Sequence, residues 1–313
     1  MKKKHLTAFR LGFISLAITI IGICFYSCQN SVDEPQTQIE RQETLAFQQL
    51  QQDLESYTDE FLASHPQSDS RGFFDFFKRA WDKIVTVVQA DFSIDLGTHH
   101  DFGIRIGWDR AASCKAMSLN NDSNIVIIRD IIEHVDFARQ LKIDSLYNAY
   151  SKEPSIDNRK NINYGKIHNL LILNRIKTNQ FYDESYDSFI ETDAPLLKKH
   201  GIESGNLSTD DYKTFQNYLN SFESIYSTDI NTFYNNINRS FPDRINLTEV
   251  LRTYTLGIKE LSSLEEIDEY SAQTITLVLN SHLSLSSKEQ LLKAICIAIY
   301  SSHLWMDLVM ISQ

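Results

Sequence analysis

Cysteine is scarce in this 313-residue chain: four in all, at positions 24, 28, 114 and 296. The first two belong to an N-terminal apolar run, which leaves Cys114 and Cys296, far apart in sequence. That excludes a disulfide framework and a CxxC metal knuckle. The remaining two could pair in an oxidising compartment. However, Cys296 lies in AICIAIY, where a thiol behaves as a small hydrophobe, so two free thiols are expected. Short catalytic signatures are missing as well. There is no GxSxG elbow, no HExxH, and neither GxxxxGK nor GxGxxG. Positive charge is in short supply: 30 Lys and Arg face 41 Asp and Glu, for a formal charge of −11. Binding a phosphate backbone needs a basic surface, so no nucleic-acid partner is expected.

What is present begins at the N-terminus. Lys2, Lys3, Lys4 and Arg10 precede an apolar run from Leu11 to Ser27. Its uninterrupted part falls short of the ~20 residues that a spanning helix requires. A basic start, a short apolar core and a small residue before the cut describe a signal peptide. An uncleaved anchor is the alternative. Ser27 followed by Cys28 resembles the lipobox of bacterial lipoproteins, with Phe25 and Tyr26 where that motif has Leu and a small residue. The resemblance implies that Cys28 becomes the N-terminus and carries fatty-acyl (palmitate-type) chains. Gln29 stands where Asp would imply retention in the inner membrane, which points to the outer membrane, facing the periplasm or the exterior. Asp33 and Glu34 resemble the acidic surface-export tag of Bacteroides-type lipoproteins, or are plain solvated linker. Loss of the signal removes four basic residues and no acids, so the mature chain is still more acidic. That balance favours solubility over adhesion to anionic lipid.

The expected organisation is a signal peptide over 1–27, a tether over 28–36, and a single helical domain over 37–313 with room for a sub-boundary near 151–162. The mature length is ample for one large core. From Gln36 to Ala63, Ile39, Ala46, Phe47, Leu50, Leu54, Tyr57 and Phe61 recur mostly at steps of three or four, the spacing of one helical face. Phe73, Phe77, Trp81, Ile84 and Val88 form a second, aromatic stripe. It suits either a membrane or partner surface or, more simply, core packing. Glycines at 72, 97, 103 and 107 make 93–118 read as irregular or hairpin-like. A helix is expected over 124–150, a polar loop over 154–163, and a short helix over Tyr164–Lys177. Leu207 to Ile225 suggests one helix, and Ile230, Phe233, Tyr234 and Ile237 another. Asn246 is placed to cap a helix running to about Glu260. Leu264–Leu279 reads as helical although TITLVL has strand propensity. Ser286 and Glu289 fit a capping box for a final helix that is apolar nearly all round from Leu291, the mark of a central buried helix. Lys293, His303 and Asp307 interrupt it and disfavour a membrane span. The fold class is therefore all-α, an irregular multi-helix bundle around a buried C-terminal helix.

Three features together resemble Bacteroides-type exported lipoproteins. They are the lipobox, the GKIHNLLI stretch (Gly165, His168, Asn169, Leu170), and Leu291–Trp305 with Ser301, Ser302 and Trp305. Ala90-Asp91 also matches, but FSIDLGTHHDFG follows it where relatives carry a small-residue segment. The resemblance implies a mostly helical secreted protein and brings no activity with it. Asp144-Ser145-Leu146 resembles the short O-glycosylation motif of such proteins.

Two groupings could carry chemistry. Asp91, Asp95 and His99, with His100 and Asp101, would share a face if helical, and carboxylates with imidazole suit a divalent metal able to activate water. In a loop the same residues are solvent-exposed or capping groups. His168-Asn169 opens a helix, and His168 suits a general base or a structural hydrogen-bonding pair. His134, beside Glu133 and Asp136, and His303, near Asp307, admit the same two readings. No catalytic residue stands out and no cofactor is required, a divalent metal excepted. The expectation is a lipid-anchored envelope protein that binds a protein or small-molecule ligand through non-enzymatic contacts. The alternatives are a metal-dependent hydrolase using the 91–101 cluster and an immunity-type protective factor.

Overall fold

A computed structural model describes residues 35–65, 81–90 except 83, 110–116, 158–178, most of 180–200, scattered positions over 213–225, and 226–311. The expected features at Cys28, Phe73, Phe77, 91–101, His134 and 124–150 lie outside the described residues. The chain divides into two units, Met1–Leu45 and Ala46–Gln313. In chain order the helices are α1 Pro35–Ser64, α2 over 81–90, α3 over 110–116, α4 Asn158–Lys177, α5 Ala194–Lys199, α6 Ile230–Ser240, α7 Ile245–Lys259, α8 Leu264–Asn280 and α9 Leu285–Ile311. A single α-turn, Tyr186–Ser188, and a π-turn, Phe189–Asp193, lead into α5. No strand occurs among the described residues, and the fold class is all-α.

The expected stripe of α1 is present: Ala46, Phe47, Leu50, Leu54 and Phe61 are buried. Ile39, placed on the same face by spacing, is instead exposed. In α6 the four apolar residues at steps of three, one and three are all buried, and Asp229 caps it by accepting from the Thr232 amide at 2.8 Å. α9 is the axis. It packs against α4 and α8, and from Leu291 to Leu308 almost every side chain is buried. Its Leu285–Leu308 stretch is long and apolar enough to cross a membrane, yet 89% of its most apolar window is buried inside the protein. Ordinary core packing satisfies that apolarity.

Several boundaries differ from expectation for local reasons. Residues 110–116, within the segment expected to be irregular or hairpin-like, are helical. The glycines that suggested otherwise all precede them. α4 begins at Asn158, so the polar stretch expected as a loop forms its first turns. The α9 cap is Ser284, whose Oγ accepts from Ser287 N at 3.3 Å, and Ser286 lies inside the first turn. Asn246 likewise sits inside α7, whose cap residue Arg244 makes no side-chain cap bond. At the start of α8, Ser263 Oγ accepts from Glu266 N at 3.1 Å, satisfying one of the amides the helix leaves open. The Glu266 carboxylate reaches back to accept from Ser262 N at 2.7 Å, fixing the residue before the cap.

Two glycines set interhelical distances. A Cβ on Gly165 would lie 2.9 Å from the Cys296 carbonyl oxygen and 3.0 Å from Tyr300 Cγ, so α4 meets α9 backbone to ring there. A Cβ on Gly257 would lie 2.5 Å from Tyr270 Cζ. The phenol of α8 thus lies directly on α7.

Candidate functional site

Among the described residues, three groups of buried polar side chains stand out. The first is charged. Asp193 ends the π-turn, in which the Ala194 amide donates to the Phe189 carbonyl five residues back. Such turns are uncommon and recur at functional sites. Here the extra residue delivers a carboxylate to the interior. Asp193 Oδ2 accepts from Arg175 NH2 at 2.8 Å and from Arg110 NH2 at 3.0 Å, and Oδ1 accepts from Arg175 Nε at 2.9 Å. The Arg175 contacts are bidentate, the strong form of a guanidinium–carboxylate pair. All three side chains are buried. The second terminal nitrogen of Arg175 donates to the Asp183 carbonyl at 2.6 Å and to Ser188 Oγ. Arg175 therefore fixes the turn that precedes the π-turn as well as Asp193 itself.

The second group lies two helical turns back along α4. His168 Nδ1 is 3.3 Å from Asn169 Oδ1, and His168 Nε2 is 3.3 Å from Ser113 Oγ. Asn169 Nδ2 donates to the Tyr300 carbonyl at 2.7 Å. A proton on Nδ1 held by the amide oxygen leaves Nε2 to accept from the Ser113 hydroxyl, the order in which a nucleophile, a base and an orienting group stand in hydrolases. Both imidazole contacts are long for hydrogen bonds, and Ser113, His168 and Asn169 are each 0% exposed. As it stands, the relay ties α3, α4 and α9 together. Ser113 meets His168 while Arg110 meets Asp193, so α3 reaches both polar groups and joins them into one buried seam.

The third group is a set of hydroxyl pairs. Tyr270 OH is 2.7 Å from Thr58 Oγ1, Tyr254 OH is 2.8 Å from Ser271 Oγ, and Tyr234 OH is 2.7 Å from Thr255 Oγ1. Thr58 and Thr255 each donate to the carbonyl four residues back, so their oxygens accept from the phenols. Burial pushes all three phenols far above their usual value of 10.0, opposed only in part by the hydroxyl partners. These groups stay neutral, which suits packing and excludes a tyrosinate nucleophile at ordinary pH. The linkage has a definite sign. In the unfolded chain these tyrosines ionise near 10, whereas in the folded chain they do not, so the folded state holds more protons above pH 10. Their stabilising contribution is complete below pH 10 and is lost as pH rises beyond it. Spectrophotometric titration should show these phenols ionising only together with unfolding. Smooth ionisation of every tyrosine near pH 10 in a still-helical protein would contradict it.

His303 Nε2 is 2.8 Å from Asp268 Oδ1, joining α9 to α8. The partner of that ring nitrogen thus stands on the neighbouring helix. Trp81 Nε1 donates to the Ile258 carbonyl at 2.7 Å, and Trp81, Ile84 and Val88 are fully buried. The described half of the aromatic stripe is core. Cys114 and Cys296 are buried and are not joined in a disulfide.

Of the residues singled out in the sequence, His168 and Asn169 are brought together with a partner, and the 91–101 cluster lies outside the described residues. Among the described residues no group of three His, Cys, Asp or Glu side chains could hold a metal ion. The sequence reading missed Arg110, Ser113, Arg175 and Asp193. One signal for Arg175 was available: it lies seven residues after His168, on the same face of the same helix. No protein-family model matches the chain, and neither a curated protein nor a solved structure is significantly similar to it.

Proposed function

We propose that the chain is an exported, lipid-anchored envelope protein that acts by binding and not by catalysis. The observation that carries the reading is the N-terminal sequence: Lys2–Lys4 and Arg10, a short apolar run, and Ser27-Cys28 at its end. Acylation at Cys28 would place the helical body at the outer membrane, on its periplasmic or outer side. The resemblance to Bacteroides-type exported lipoproteins supports the same compartment. The acidic balance of the chain suits an aqueous surface. The buried charged and hydroxyl groups described above bond to one another, which supports a structural role for them. Binding of an extracellular or periplasmic partner is then the role left to the surface.

The test is direct. Wild-type protein expressed in a bacterium with an outer membrane and fed an alkyne fatty acid should take up label, fractionate with membranes, and begin at residue 28 by mass spectrometry. Cys28→Ser should lose the label and keep the signal. An unlabelled wild-type protein with a different N-terminus would overturn the anchor. Metal content of the purified protein separates the binding role from the hydrolase alternative at Asp91, Asp95, His99 and His100: about one tightly held ion per chain, lost on His99→Ala, would favour the hydrolase.

A further inference from the structure

Among the described residues, five large hydrophobic side chains are exposed: Ile39 at 66%, Leu45 at 63%, and Ile190, Ile245 and Leu285 at 41–47%. Single exposed apolar residues are normal on any protein. Ile39 and Leu45 are different because the two most exposed members of the set fall in the first three turns of one helix. With Gln42 between them they sit at i, i+3 and i+6, which confines the three side chains to a strip roughly 120° wide on α1. The strip carries no charge. Of its charged neighbours, Arg41 and Glu43 flank the strip about 40° beyond its two edges, and Glu40 lies about 160° from Gln42, at 100° per residue.

The position of the strip in the chain identifies its occupant. Six residues, 29–34, separate Cys28 from Pro35. Even fully extended, that connection reaches no more than about 25 Å. Leu45 lies only ~15 Å further along the helix axis. A chain tethered at Cys28 therefore cannot carry these turns far from the bilayer. Burying two large aliphatic side chains at the headgroup boundary recovers a transfer free energy that solvent exposure forgoes. We infer that the Ile39–Gln42–Leu45 strip of α1 rests on the phospholipid surface that holds the anchor. The inference builds on the proposed acylation of Cys28.

The experiment uses the full acylated protein in phosphatidylethanolamine–phosphatidylglycerol vesicles, with an environment-sensitive fluorophore attached through Gln42→Cys or, as a control, Glu40→Cys. Cys114 and Cys296 are buried and remain unlabelled in the folded protein. The label at position 42 should shift to the blue and lose emission with brominated lipid, while that at position 40 stays aqueous. Two aqueous labels on protein whose N-terminal mass confirms acylation would overturn the strip and leave the anchor standing. Equal quenching at both positions would overturn its sidedness. A blue shift at position 42 without vesicles, growing with protein concentration, would assign the strip to a second copy. A mass spectrum without acyl groups would remove the anchor and this inference together.

Discussion

Asp193→Ala should cost about 3–5 kcal/mol, the range for breaking a buried ion pair from one side. The reason is what the substitution leaves behind. Arg110 and Arg175 would lose the carboxylate between them, and two buried guanidiniums about one site repel in an interior where water cannot screen them. For a chain of this size such a loss lowers the thermal midpoint by roughly 10 °C, at 2–4 °C per kcal/mol. Asp193→Asn is the instructive comparison. It keeps the shape but offers one acceptor oxygen where Arg175 and Arg110 now share two. It should fall close to the alanine variant if charge dominates, and well above it if hydrogen-bond count dominates. Thermal and urea unfolding followed by circular dichroism would measure both. A midpoint unchanged from wild type in Asp193→Ala would mean that the seam does not hold α3, α4 and the π-turn together.

That seam also marks where sequence reading reached its limit. Helices whose pattern is local were legible. Ile230, Phe233, Tyr234 and Ile237 announce α6 because a helix face repeats within one turn, and the near-continuous apolarity after Leu291 announces a central helix for the same reason. The ends were harder. Ser284 and Ser286 are equally good capping residues by type, and only the geometry of the turn chooses Ser284. The polar start of α4 reads as loop because helix propensity is a weak guide that tertiary context routinely overrides. Arg110, Arg175 and Asp193 could not be grouped at all. They come from three separate segments, and nothing local says that a π-turn will bring a carboxylate inward. His168 was visible as a candidate, but its partner Ser113 belongs to a stretch where nearby glycines masked the helix. The site was therefore legible as single residues and not as a constellation.

The other large effect is expected at Tyr270. Its ring stacks on Tyr57 at 5.4 Å and on Tyr254 at 5.8 Å, meets Phe61 edge-on at 5.5 Å, and lies against Gly257. Offset and edge-to-face pairs of this kind contribute beyond the area they bury. Tyr270→Ala would remove a buried aromatic from the junction of α1, α7 and α8 and should cost about 3–5 kcal/mol, as large aromatic truncations do. Tyr270→Phe should cost only about 1 kcal/mol. The phenol donates to Thr58 Oγ1, and Thr58 keeps its own bond to the Leu54 carbonyl when that donor is gone. The two variants thus separate packing from hydrogen bonding. If Tyr270→Phe were as damaging as Tyr270→Ala, the hydroxyl pair would be the element that locks α1 to α8, and the ring cluster secondary to it. If Tyr270→Ala were mild, α1 would be held by its aliphatic stripe alone, and Leu54→Ala would then be expected to release it.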